Sequence, residues 1–390
     1  MRSPRPVDRE RERVRRAARQ LAAKKRRRAA AQRRIIVFCV FCLIILVLLV
    51  VVLVGLFKAA FPGKSDIPVN NTADVSVFSS ETDSERETGV ETTVDTIPKN
   101  ESYTEEAAEE ASQKEKVTFS FSLPVSGSNQ KSLSDDVRSD SAILVDLTDN
   151  RVMASLNLDK KVSPASLTKV MTLITAYEHI NDIDRETFTM TYEILNPLVS
   201  SGNSLAGFEV GETVSMREYM YGMIMPSGAD AAEAIAVYCG GSVKGFADMM
   251  NAKAKEMGLK NSHFTNPVGE YDKDNYSTVY DLAAILAYAY NYPELAEILN
   301  TYKYTTSSTP QHPDGLYFES NLQQRMKGDE SGTCNVLGGK TGYTGESGHC
   351  VMCYAESVSD KKPYIFVACK GKAMYDPIFD CIDVLGKYVK

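Results

Sequence analysis

The stretch Ile35–Phe57 constrains this chain more than any other feature, because it is an unbroken apolar run without one charge or hydroxyl. About twenty such residues cross a bilayer, and a core helix of this uniformity is rare in a soluble fold. A cleavable secretion signal is the main rival, but its apolar region spans only ~7–15 residues and its basic flank is short. The expectation is an uncleaved transmembrane helix. Residues 1–34 carry fifteen Lys and Arg against three acids, whereas the whole chain has a formal net charge of −7. The positive-inside rule therefore places this arm in the cytoplasm and everything after Lys58 outside. Its position beside the apolar run suits orientation and anionic lipid contact better than nucleic-acid binding, and no nucleic-acid partner is expected.

Residues 58–116 are rich in Ser, Thr, Glu and Asp and poor in large apolar side chains. Such a segment cannot bury a core and reads as a disordered, self-repelling linker. The extracytoplasmic domain is expected over 117–390, with an alternating Val/Phe run at Val117–Leu123 and regular structure from near Asp140. Ala142–Leu147 and Arg151–Leu156 read as a hairpin turning at Asp149-Asn150. Ser163 and Pro164 then suit the cap and first position of a helix running to about Ile180, with Leu167, Val170, Met171 and Ile174 at helical spacing.

Residues 181–213 read as loop. Ser215 and Glu218 form a capping box for a helix over Met216–Met225 that Pro226 closes, and helices follow over Ala229–Cys239 and Val243–Met257. Gly258 is the expected stop of the last of these. Thr278 and Asp281 cap another helix, Val279–Tyr290. Strands are expected at Val336–Gly342, Cys350–Ala355 and Tyr364–Cys369, then a helix over Pro377–Tyr388. The pattern predicts an α+β fold, with an antiparallel sheet of about five strands flanked by helices.

Six cysteines lie in this domain (Cys239, Cys334, Cys350, Cys353, Cys369 and Cys381), while Cys39 and Cys42 fall in the apolar run. An even number permits disulfides, but the spacing reveals no pairing. Cys350 and Cys353 have redox-motif spacing, yet on a strand residues three apart point to opposite faces, so no redox or metal role is assigned. The four His residues show no metal-ligand spacing, and no cofactor is expected.

Three short motifs carry chemistry. Ser166-Leu167-Thr168-Lys169 opens a helix, stacking a hydroxyl and an amine on one face at the positive end of the helix dipole. By itself such a quartet occurs by chance in most long chains. Ser227-Gly228-Ala229 lies between two helices, and its hydroxyl can relay a proton. Lys340-Thr341-Gly342 sits on a Gly-flanked strand, where a substrate backbone can approach closely while a cation meets its carboxylate. Ser-x-x-Lys, Ser-Gly-x and Lys-Thr-Gly in that order match the set found in penicillin-binding proteins and class A β-lactamases.

From about Ser139 onward the chain resembles the low-molecular-mass D-alanyl-D-alanine carboxypeptidases, the penicillin-binding protein 5-like serine peptidases. Pro164–Thr172 resembles that family's nucleophile helix. Gly211-Glu212-Thr213 leads into Met225–Ala232, His263–Gly269 precedes Tyr276-Ser277-Thr278, and Gly339–Thr344 completes the likeness. One departure lies in the second motif, where Ala229 replaces the usual Asn. A literal Ser201-Gly202-Asn203 occurs upstream, but no Asp-Ala-Ala helix follows it, so Ser227 is preferred. Asn275 stands where relatives often carry His, and no role is assigned to it.

The resemblance implies a serine D-Ala-D-Ala carboxypeptidase that removes the terminal D-Ala of peptidoglycan stem peptides through a Ser166 acyl-enzyme, with β-lactams as covalent inhibitors. Lys169 would be the base, lowered by desolvation and by the Lys340 cation, and Ser227 the proton relay. Lys340, Thr341, Gly342 and Tyr343 would hold the substrate, with the Ser166 and Tyr343 N–H groups forming an oxyanion hole. A β-lactamase, for which Glu270 is the open candidate base, a transpeptidase, and a weakly catalytic penicillin-binding sensor remain as alternatives.

Overall fold

The computed structural model describes Gly127 and residues 130–326 and 331–390. The basic arm, the apolar run 35–57, the linker and the Val117–Leu123 run lie outside the described residues. Among the described residues no helix is long and apolar enough to cross a membrane.

One sheet organises the domain. Its strands are β1 (Lys131–Ser132), β2 (Ser141–Asp146), β3 (Arg151–Leu156), β8 (Cys334–Thr344), β9 (Gly348–Ser357) and β10 (Pro363–Gly371), in the order β1-β3-β2-β10-β9-β8. Among the described residues the sheet thus has six strands, against about five expected. Five pair antiparallel, while the two-residue β1 pairs parallel with β3. The hairpin and the late strands fall where short apolar runs and turn residues place them, each late strand running a few residues longer than expected.

The side chains of the strands alternate between two cores, as the period of two requires. Ile143, Val145, Met352, Ile365 and Val367 join the large front core with the helices. Leu144, Val351, Cys353, Phe366 and Ala368 join a smaller rear core under the C-terminal helix.

The front helices are α1 (Thr168–His179), α2 (Tyr192–Ser201), α3 (Met216–Ile224), α4 (Ala229–Gly240), α5 (Val243–Glu256), α6 (Val279–Ala289) and α7 (Pro293–Asn300); the short α8 (Asn321–Met326) puts Leu322 into the rear core, which α9 (Asp376–Tyr388) covers. Local chemistry explains several boundaries. Ser215 and Glu218 form a complete capping box on α3. Thr278 accepts from the Asp281 N–H on α6. Gly258, just beyond α5, has φ +71°. Helix α2 occupies what the sequence presents as loop, because Pro197 inside it reads as a breaker. Helix α7 opens on Pro293 and buries Leu295, Ile298 and Leu299 at helical spacing, a signal the sequence reading passed over. The short α8 and two small two-stranded sheets, β4–β5 (Thr187–Thr189 with Thr213–Ser215) and β6–β7 (Lys303–Thr305 with Tyr317–Glu319), carry no strong periodic signal.

The start of α1 departs from expectation. Residues Ala165–Leu167 form a 3-10 turn and the α-helix begins at Thr168, so Ser166 sits on the turn rather than in the first α-helical turn. Ser163 does not cap it; its buried hydroxyl has no partner. The cause is Ala165, whose φ of +48° bends the backbone between Ser163 and the helix.

Candidate active site

Three chain segments far apart in sequence meet at the Ser166 turn. The first is the turn itself. A 3-10 turn eclipses residues i and i+3, which brings Lys169 over Ser166. Lys169 Nζ lies 3.2 Å from Ser166 Oγ and donates to the Val268 carbonyl at 2.7 Å. Its amine is almost wholly enclosed, at 1% exposure. Burial pushes Lys169 down to about 7, against the opposing pull of Asp230, Glu270 and Glu233.

The second segment is the loop 265–270, which supplies the Val268 carbonyl. Asn266 shapes it by accepting from the N–H groups of Val268, Gly269 and Glu270 at 3.2, 2.7 and 3.1 Å. Gly269 lies directly against the nucleophile turn with φ +86°, and a Cβ there would stand 1.9 Å from the Ala165 carbonyl oxygen. Gly269→Ala is therefore expected to cost about 3 kcal/mol and lower the thermal midpoint by roughly 5–10 °C. Gly345→Ala, where a Cβ meets nothing within 4 Å, is the control. Melting curves of the two variants decide it; a Gly269→Ala midpoint equal to that of the control would show that this packing is wrong.

The third segment is β8. It is the free edge of the sheet, so alternate backbone groups face away from β9 toward the turn. A Cβ on Gly342 would come within 3.1 Å of the Ser166 nitrogen, so only Gly lets this strand approach so closely. Lys340 is 1% exposed and donates to the Thr341 carbonyl at 2.9 Å. Burial, then the charges of Lys169 and Arg325, hold its amine well below the ordinary lysine range. Repulsion between the two lysines thus falls on Lys340; it is burial that lowers Lys169. Tyr343 is exposed and stacks on His349 at 4.3 Å.

Ser227 occupies the corner before α4. It is buried and has φ +69°, so Ser227, like Ala165, holds strained backbone. Ala229 begins α4 and donates its N–H to the Ser204 carbonyl at 2.8 Å. The next residue, Asp230, is fully buried, and its carboxylate accepts from the N–H groups of Ala206, Gly207 and Phe208.

The upstream Ser201 ends α2, where its hydroxyl donates to the Leu198 carbonyl at 3.1 Å. Asn203, however, donates to Glu270 and so reaches the rim of the site. Asn275 has a use after all: its amide donates to the Glu270 carbonyl at 3.1 Å.

Sequence reasoning named Ser166, Lys169, Ser227 and Lys340 but overlooked Glu233 and Arg325. Glu233 lies one helical turn beyond Ala229, and burial, then the Glu270 charge, raise its carboxyl to about 7. Arg325 on α8 is lowered by burial, and its charge bears on Lys340 and His349. Glu233 could have been found at i+4 from Ala229 on one helix face. Nothing local singles out Arg325.

A half-buried serine beside a buried lysine in a strained turn, facing a lysine on a sheet edge, defines the serine–lysine class of site. The sequence pattern of the D-alanyl-D-alanine carboxypeptidase peptidases (peptidase S11) matches residues 128–372, and the chain belongs to this family. Among curated relatives, D-alanyl-D-alanine carboxypeptidase DacF of Bacillus subtilis is 32% identical over 219 residues, covering 55% of this chain and 54% of that protein. D-alanyl-D-alanine carboxypeptidase DacD of Escherichia coli is 31% identical over 224 residues, with 55% and 54% covered. The chain thus spans about half the length of these relatives.

The fold matches the crystal structure of the Streptomyces K15 DD-transpeptidase with a TM-score of 0.58 at 24% identity, covering 64% of this chain and 96% of that one. It also matches a D-alanyl-D-alanine carboxypeptidase from Mycobacterium tuberculosis, with a TM-score of 0.54 at 23% identity, covering 63% and 89%.

Proposed function

We propose that this chain is a serine D-Ala-D-Ala carboxypeptidase acting on peptidoglycan stem peptides, with β-lactams as covalent inhibitors. The observation that carries this reading is the 3.2 Å contact between Ser166 Oγ and the enclosed Lys169 amine, in a chain of this family. Lys169 takes the Ser166 proton, and Oγ attacks the carbonyl between the two D-Ala residues. The Ser166 and Tyr343 N–H groups receive the oxyanion, a contribution of about 3–4 kcal/mol for such a hole. Collapse breaks the peptide C–N bond, and the proton passes through Ser227 to the leaving D-Ala amine. Water then opens the ester and frees Ser166.

Lys340, Thr341, Gly342 and Tyr343 hold the terminal D-Ala of the substrate. An incoming carboxylate next to Lys340 favours its protonated form, so binding itself supplies the cation that burial suppresses. For localisation, the apolar run 35–57 tethers the enzyme to the bilayer as a single pass, N-terminus cytoplasmic and catalytic domain outside.

The full chain incubated with a stem pentapeptide should release one D-Ala, read by mass spectrometry; no release would refute the carboxypeptidase reading. The same assay separates the two Ser-Gly motifs. Ser227→Ala should lower kcat by about 10²–10³-fold, in the range of general acid–base steps. Ser201→Ala should stay within about two-fold of the parent, since exposed sites away from the chemistry rarely matter. A large loss only in Ser201→Ala would reverse the assignment.

A further inference from the structure

The rear core holds a chemical feature that the proposed reaction does not use. Cys353 lies mid-strand on β9 and Cys381 on α9, and both are fully buried. Their sulfurs are 3.1 Å apart. That is roughly 1 Å more than the ~2.05 Å bond of a disulfide, and 28 residues separate the two in sequence.

Cys350 and Cys369 form a second buried pair, in the front core between the neighbouring strands β9 and β10. There the Cys350 thiol also has the Ser347 and Gly348 carbonyls as acceptors, at 3.7 and 3.8 Å. Cys239 lies at the end of α4. Cys334 borders the rear pair, near enough for Cys353 to bear on it and for its own charge to bear on Cys381, but it is the least deeply buried of the three.

We propose that Cys353 and Cys381 are joined by a disulfide that staples the C-terminal helix to the centre of the sheet. Burial of both sulfurs means that the bond forms before α9 docks. One Cys thiolate attacks a small-molecule or protein disulfide, such as oxidised glutathione, and displaces one of its thiolates. The second Cys then attacks the mixed disulfide. The S–S bond of the oxidant is replaced by the one in the protein, the two cysteine protons end on the two released thiols, and two electrons pass to the oxidant.

The staple also bears on the proposed site. Cys353 is registered opposite Gly339, the residue before Lys340, and Lys340 is registered opposite Met352. Fixing β9 from behind therefore holds the edge strand that carries the lysine.

The test uses the full chain in detergent, unfolded, reduced and refolded in a reduced/oxidised glutathione buffer, then denatured in N-ethylmaleimide. Six of the eight cysteines should be alkylated without further reduction and all eight after it. Peptide mapping should recover one reducible fragment joining Cys353 to Cys381. The Cys381→Ala variant should show seven adducts without reduction, its Cys353 now free. The thermal midpoint of the oxidised wild type should exceed that of the reduced form by roughly 10 °C. Eight adducts without reduction, or a link through Cys334 or between Cys350 and Cys369, overturns the proposal. None of these readouts depends on peptidase activity.

Discussion

Ser166→Ala should abolish release of D-Ala from a stem pentapeptide, with a fall in kcat/KM of about 10⁴-fold or more. The hydroxyl is the atom that must form the ester, and nothing beside it can substitute, because Lys169 is enclosed and held by the Val268 carbonyl at 2.7 Å. The fold should tolerate the change. The side chain loses one hydrogen bond, at 3.2 Å, on a turn whose shape is set by Ala165, Gly269 and Gly342. A thermal midpoint within a few degrees of the parent, with no fluorescent penicillin bound, is the expected pair of results. Equal release of D-Ala by the variant and the parent would remove Ser166 from the chemistry.

Lys169→Met should slow acylation by about 10³–10⁴-fold while leaving Ser166 in place. The sign of the pH dependence follows from the amine. A base must be neutral to accept a proton, and burial holds this amine near 7. Acylation by the wild type should therefore rise about tenfold per pH unit up to roughly pH 7 and level off above it. An ordinary lysine, with a pKa near ~10.4, would still be climbing at pH 9. The residual rate of Lys169→Met should lack the inflection near 7. Penicillin labelling rates across this pH range check both points, and an inflection that survives in the variant would assign the base elsewhere.

Much of the fold was legible because its signals are local. The capping box of Ser215 and Glu218, the Thr278 cap and the short apolar runs of the late strands act over a few residues. The short strand β1 was not legible, since a parallel pairing depends on a partner some twenty residues away. Nor was α2, where Pro197 argues against a helix that tertiary packing nevertheless sustains through Ile194 and Leu198.

The amino-acid sequence by itself determined the proposed reacting groups at the Ser166 turn. Ser166 and Lys169 are three residues apart, and any helical turn brings i and i+3 together. It also determined the order of motifs that marks the family. Tertiary structure alone decided what those groups become. The drop of Lys169 to about 7 requires enclosure by the loop 265–270, which Asn266 and the bare backbone of Gly269 press against the turn. Where Ser166 sits also depended on it, because the left-handed Ala165 replaces the expected cap with a 3-10 turn. The pairing of Cys353 with Cys381 belongs to the same category: spacing along a chain does not reveal which buried sulfurs will face each other across a sheet and a helix. Short-range geometry is written in neighbouring residues, whereas desolvation and long-range contact exist only once distant segments have packed.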